Sequence, residues 1–261
     1  MTTAEDLPSG FRIPWWRQAF ALLAKDVKAE LRTKVAVSAV GVFTFASLLL
    51  LGLATAVLKE IPTVKIIGLI DPITVADVVT QMKPAWDSPS KMALLWVLFC
   101  FAAFAGLAHS FVHEEETGTV MALRLSMSAE AVYTGKLLFN LIVLFAIMIA
   151  VTPIYMAMTG MLMGSPFVFL AVMISGGIGL AATATIIGAL AAKAQGTGAL
   201  YGALGLPLLL VFLMLLLNAA ATVYEKNAPI LRVVKDVGGL FSFGVLIISM
   251  SAMLFHFVWE E

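Results

Sequence analysis

Charge is scarce in this sequence. Only 12% of its 261 residues are Asp, Glu, Lys or Arg, about half the share usual in a soluble domain. The 16 acidic and 16 basic residues cancel, so no basic surface is available for a nucleic acid. One cysteine, Cys100, excludes a disulfide framework, and inside an apolar stretch it reads as a small buried residue. Catalytic signatures are missing as well. There is no GxSxG and no HExxH, and His113-Glu114 opens like a zinc motif whose second histidine never arrives. Thr134-Gly135-Lys136-Leu137 contains a Gly-Lys but lacks the upstream glycine and following Ser/Thr of a phosphate-binding loop. The chain is therefore expected not to be an enzyme.

What fills the sequence instead is hydrocarbon. Hydrophobic residues make up 61% of it, and the mean hydropathy is +1.02. Six apolar runs stand out, at 35–58, 92–112, 137–163, 167–192, 199–224 and 238–259. Each reaches the roughly 20 residues that cross a ~30 Å hydrocarbon core as a helix. None alternates with period two, which excludes barrel strands. The expected fold is an all-α integral membrane protein with six transmembrane helices and an N-terminal interfacial amphipathic helix. Residues 1–34 form the N-terminal part and 35–261 the six-span domain. An outer loop at 59–91 and a cytoplasmic loop at 113–136 interrupt the spans.

All Lys, Arg, Asp and Glu fall outside the six runs. An ion-coupled transporter ordinarily embeds such a group near the midplane, so no coupling-ion site is expected. Six basic residues precede the first run, which places both termini in the cytoplasm. His109 and His113 are four residues apart and could share a ligand such as haem or a metal. The simpler reading, an interfacial packing pair, is preferred, so no cofactor is expected to be bound directly.

Residues 14–34 differ from the spans. Trp16, Phe20, Leu23, Val27 and Leu31 form one narrow apolar stripe, and Arg17, Lys25, Lys28 and Arg32 point away from it. That pattern predicts a helix lying on the membrane surface, started by Pro14. In the fourth run, Gly177, Ala181, Thr185, Gly188 and Ala192 make a small-residue stripe, read as packing within one subunit. Gly198 and Gly202 form a GxxxG at the start of the fifth. Thr152-Pro153 predicts a kink in the third. Met156, Met158, Met161 and Met163 read as adaptable packing.

The loop 113–136 is too patterned for a plain connector. Glu114, Glu115 and Glu116 precede a two-turn helix in which Val120, Leu123 and Met127 share a face beside Arg124. Negative charge is favourable before a helix N-terminus by about 0.3–1 kcal/mol. Ser128 reads as the N-cap of the helix that enters the membrane at Lys136. A short amphipathic helix on such a loop suits docking in a partner's groove.

Here the residues also carry a resemblance. "EEETGTVMALRLSMSAEAVYTGKLLFN", 114–140, resembles the coupling-helix region of ABC-2-type exporter permeases, with an acidic stretch, Gly118-Thr119, a short helix, then Gly135-Lys136 leading into the third span. The N-terminal amphipathic helix and the six runs are similar to that family too. More narrowly, residues 192–221 and the ending "LFHFVWEE", 254–261, resemble the CcmB family, the membrane subunits of the haem exporter of cytochrome c maturation. The chain departs from that family in having Ser126-Met127-Ser128 where a Ser-Pro is frequent, and in a longer outer loop.

The resemblance implies an ATP-driven exporter whose substrate is haem. A separate cytoplasmic ABC ATPase subunit would couple through Glu114, Glu115, Glu116, Gly118, Thr119, Val120, Leu123 and Arg124. It also implies a haem-handling membrane protein, a periplasmic haem chaperone reached through the complex, and two copies of this chain. A generic ABC-2 permease for a lipid, glycan or hydrophobic compound is the alternative. A non-transporting membrane assembly factor is a third reading.

Overall fold

The computed structural model describes residues 13–33, 35–60, 90–106, 119–193, 198–225 and 228–260. Among them the chain is helical with no strand. In order the helices are α1 (Trp15–Thr33), α2 (Val35–Glu60), α3 (Ser90–Gly106), α4 (Val120–Ser126), α5 (Ala129–Thr159), α6 (Pro166–Lys193), α7 (Gly198–Tyr224) and α8 (Ile230–Glu260). Helices meet the demand of a hydrocarbon solvent because every backbone hydrogen bond is made within the segment.

Among the described residues, four stretches are long and apolar enough to cross a membrane: Ala129–Thr159, Pro166–Leu190, Pro207–Tyr224 and Ile230–Phe255. Val40–Leu53 in α2 and Ser90–Phe104 in α3 are apolar but shorter among the described residues. The protein is thus an all-α, multi-pass membrane protein. Most of the outer loop at 59–91 lies outside the described residues.

α5 begins at Ala129, eight residues before the third apolar run, with Ser128 at the N-cap position as the sequence predicts. Two other helix boundaries correct the sequence reading. α5 ends at Thr159 instead of 163. Gly160 closes it in the left-handed conformation (φ 64°), with its N–H on Met156 O at 2.9 Å. α8 begins at Ile230, not at 238, set off by Pro229, whose carbonyl accepts from Arg232 N at 2.8 Å. Hydropathy marks where lipid contact begins, whereas turns and caps decide where the helix begins. Lys136, Arg232, Lys235 and Asp236, placed in loops by the apolar runs, therefore sit within these helices.

α6 is the central helix, packed by α5, α7 and α8 and touched by α3. Its small residues allow this. A Cβ at Gly176 would fall 2.5 Å from Trp96 of α3, one at Gly177 3.0 Å from Phe145 of α5, and one at Gly179 2.6 Å from Phe212 of α7. Asn140 of α5, fully buried, donates its side-chain N–H to Thr185 Oγ1 at 2.9 Å, and Thr185 passes a bond to Ala181 O at 2.6 Å. Gly177, Ala181, Thr185 and Gly188 are all buried, so the stripe serves packing within the chain. The side chains of Ala192, Gly198 and Gly202 lie outside the described residues.

Pro153 stays inside a continuous α5, and Thr152 Oγ1 bonds to Met148 O at 2.6 Å. Met161 belongs to the core and Met156 packs against it. Cys100 is buried, as expected. At the end of the bundle away from α4, Gly164 N and Ser165 N reach Val223 O at 3.1 and 3.4 Å, tying the α5–α6 turn to the end of α7.

Candidate functional site

The described part of the patterned loop between α3 and α5 forms α4, about two turns braced from below. Seven residues are too few to hold a helix alone in water, so its stability comes from what it packs on. Thr119 O accepts from Leu123 N at 3.1 Å, and Ser126 Oγ donates to Ala122 O at 2.8 Å. The helix stops at Met127, whose extended backbone (φ −135°, ψ 151°) still donates to Leu123 O at 2.9 Å. Ser128 is also extended and takes the N-cap position of α5, accepting from Val132 N at 3.1 Å. Its side chain makes no capping bond. Instead its backbone N–H donates to Gln18 Oε1 of α1 at 3.0 Å, and Gln18 Nε2 donates to Ile13 O at 2.8 Å. α1 therefore holds the joint between α4 and α5.

The inward side of α4 is Leu123. It is buried in a cluster with Leu22 of α1, Val132 and Tyr133 of α5, Ala189 of α6 and Phe255 of α8, and Met127 packs against that cluster. Arg124 lies with its guanidinium 5.4 Å from the Trp259 ring centre. Trp259 stacks on Phe255 at 5.4 Å, and Phe255 meets Tyr133 at 5.6 Å. The aromatic end of α8 is thus the floor on which α4 rests.

This arrangement corrects the sequence reading of Leu123 as a partner-facing residue. With 9% exposure it faces the chain's own core. The outward apolar residues are Met121 and Leu125, exposed by 67% and 78%. They are four apart on a helix outside the four long apolar stretches, a spacing that puts them on one face. His109, His113, Glu114, Glu115, Glu116 and Gly118 lie outside the described residues, as does the side chain of Val120.

α1 supplies the second half of the brace, through a face other than the predicted apolar stripe. The residues it buries are Ala19, Leu22 and Asp26, three and four apart. From the predicted apolar stripe, Trp16, Phe20 and Leu31 remain exposed by 49%, 57% and 72%, while Leu23 and Val27 pack partly against the core. α1 crosses α5 at Gly135, where a Cβ would come within 3.0 Å of Ala19 O and of Leu22 Cδ2. One residue on, Lys136 Nζ meets Asp26 Oδ2 at 2.9 Å, the two side chains being 3% and 8% exposed. Lys25, 48% exposed, adds a contact to Asp26 Oδ1 at 3.3 Å.

The Gly-Lys that looked like a fragment of a phosphate loop is therefore a helix crossing: glycine for approach, lysine for a buried ion pair. No cluster of three or more potential metal ligands occurs among the described residues. What the arrangement can do is mechanical. A load on the outer face of α4 passes through Leu123 to α8 and through Gln18 to α1, both of which grip the start of α5. No family model, curated protein or solved structure matches the chain.

Proposed function

We propose that this chain is the membrane subunit of an ATP-driven exporter of the ABC-2 type, acting in haem delivery for cytochrome c maturation. In this reading its six apolar runs cross a bacterial inner membrane with both termini in the cytoplasm. A separate ATPase subunit docks on α4. Two copies assemble with an ATPase dimer, because six spans are half of an ordinary exporter.

One observation carries the reading. Met121 and Leu125 form an exposed apolar pair on a short helix whose opposite face packs against four other helices. A docking helix needs an apolar anchor on one side, and a lever needs a rigid seat on the other. Haem as the substrate rests on the resemblance at 192–221 and 254–261. In this scheme the chain performs no bond chemistry. It transmits the closure of the ATPase dimer to α5 and α1.

Deleting the gene in its host and staining membrane proteins for covalently attached haem tests both parts. The expected result is loss of c-type cytochromes, restored by the intact gene and not by a Met121→Asp/Leu125→Asp variant that inserts normally. Normal cytochromes in the deletion strain would remove haem from the proposal. Full restoration by the double variant would remove α4 as the coupling element.

A further inference from the structure

A second feature lies at the far end of the bundle from α4, between the end of α7 and the first turns of α8. Thr222 Oγ1 donates to Asp236 Oδ2. Arg232 Nη1 pairs with Glu225 Oε2 at 2.9 Å, and its Nε lies 3.9 Å from Asp236 Oδ2. These contacts settle both acids and the arginine. Lys235, exposed and one residue away, has no ion pair among the described residues. It opens on a groove of about 740 Å3 lined by Leu215 and Asn218 from α7 and by Leu231, Arg232, Lys235 and Asp236 from α8. Gly239 also lines it, and a Cβ added there would meet nothing within 4 Å.

The groove is thus a place where surplus positive charge stands over apolar side chains at the margin of the apolar bundle. We propose that it binds an anionic amphiphile, its phosphate or carboxylate head held by Lys235 and the Asn218 amide and its hydrocarbon laid along Leu215 and Leu231. The volume lies in the range of built ligand sites. Charge-assisted bonds to an oxyanion are the stronger kind, and the alternative for Lys235 is exposure with no partner. The proposal does not depend on the exporter reading, because it uses neither α4 nor an ATPase. Two sources share the chemistry: a resident anionic phospholipid, or an amphiphile that arrives transiently.

Purified full-length protein, titrated with phosphatidylglycerol and with phosphatidylcholine and read by native mass spectrometry, provides the test. Wild type is expected to bind phosphatidylglycerol about tenfold more tightly, the worth of one charge-assisted contact. Lys235→Gln should abolish that preference. Gly239→Leu, which projects into the open groove, should weaken binding of both lipids. Both variants should elute and unfold like wild type, since neither position carries packing.

Phosphatidylglycerol that co-purifies at one per chain identifies a resident lipid. A groove that arrives empty and takes up added oleate in a Lys235-dependent way identifies a transient amphiphile. Equal affinity for the two phospholipids, or a preference that survives Lys235→Gln, overturns the proposal.

Discussion

Replacing Asp26 with Leu should be the most damaging single change at the α1–α5 crossing. Lys136 is 3% exposed and its ammonium is 2.9 Å from the Asp26 carboxylate. Removing that carboxylate leaves a cation that solvent cannot reach, and breaking such a pair from one side costs about 3–5 kcal/mol. Lys136→Met should cost less, because Asp26 keeps the Lys25 ammonium at 3.3 Å and that lysine is half in solvent. The double variant Asp26→Leu/Lys136→Met should recover most of the loss, since a buried ion pair replaced by apolar side chains is often neutral or better.

Thermal unfolding in detergent, followed by fluorescence-detected size exclusion, reads the three variants side by side. At about 2–4 °C per kcal/mol for a chain of this size, Asp26→Leu should lower the midpoint by about 6–20 °C. The double variant should return close to wild type. A double variant as unstable as the sum of the singles would show that the two residues do not act as a pair. Single variants that both melt like wild type would mean that α1 is not fixed to α5 by this contact.

Three further outcomes follow from the packing. Leu123→Asp places a carboxylate in a buried apolar cluster and should cost several kcal/mol, whereas Leu125→Asp, at 78% exposure, should leave the melting midpoint unchanged; thermal unfolding of the two separates inner from outer face. Gly176→Leu drives a side chain into Trp96 of α3, with the first added carbon already at 2.5 Å, and should destabilise by about 1–3 kcal/mol, checked by the same midpoint. Asn140→Leu removes the bond to Thr185 but also a buried side-chain oxygen with no partner of its own. Interhelical polar bonds in membranes average about 0.6 kcal/mol, so its cost should stay below about 1 kcal/mol in detergent-denaturation titrations.

The apolar runs were legible because a helix buried in lipid or core must be continuously apolar, and among the described residues each run overlaps the body of a helix from α2 to α8, α4 aside. Apart from the N-cap at Ser128, helix ends were not, because Gly160 and Pro229 set them through backbone geometry, and hydropathy is silent on that. The existence of α4 was also legible, from Val120 to Met127. Its orientation was not. A two-turn helix with apolar residues at 120, 121, 123, 125 and 127 has candidates on every side, and which side is inward depends on the distant Leu22, Phe255 and Trp259.

α1 shows the same limit. Its apolar stripe was plain, yet the face that docks on α5 is marked by Ala19 and Asp26, a small residue and an acid that acquire meaning only opposite Gly135 and Lys136. A Gly-Lys beside an amphipathic helix carrying an aspartate was the signal present, but 110 residues separate the partners.

The central claim is that the outer face of α4 is where a separate ATPase acts. Cysteines at Met121 and Leu125 in the cysteine-free background (Cys100→Ala) would be reacted in native membranes with a short bifunctional reagent, with and without ATP and vanadate. The cross-linked product would be identified by mass spectrometry. The expected result is a single adduct with a nucleotide-binding subunit whose yield changes when the nucleotide is trapped, and no such adduct from a cysteine at Leu123. An exposed Met121 and Leu125 that cross-link only to lipid or to random neighbours, with no change on trapping, would contradict the claim.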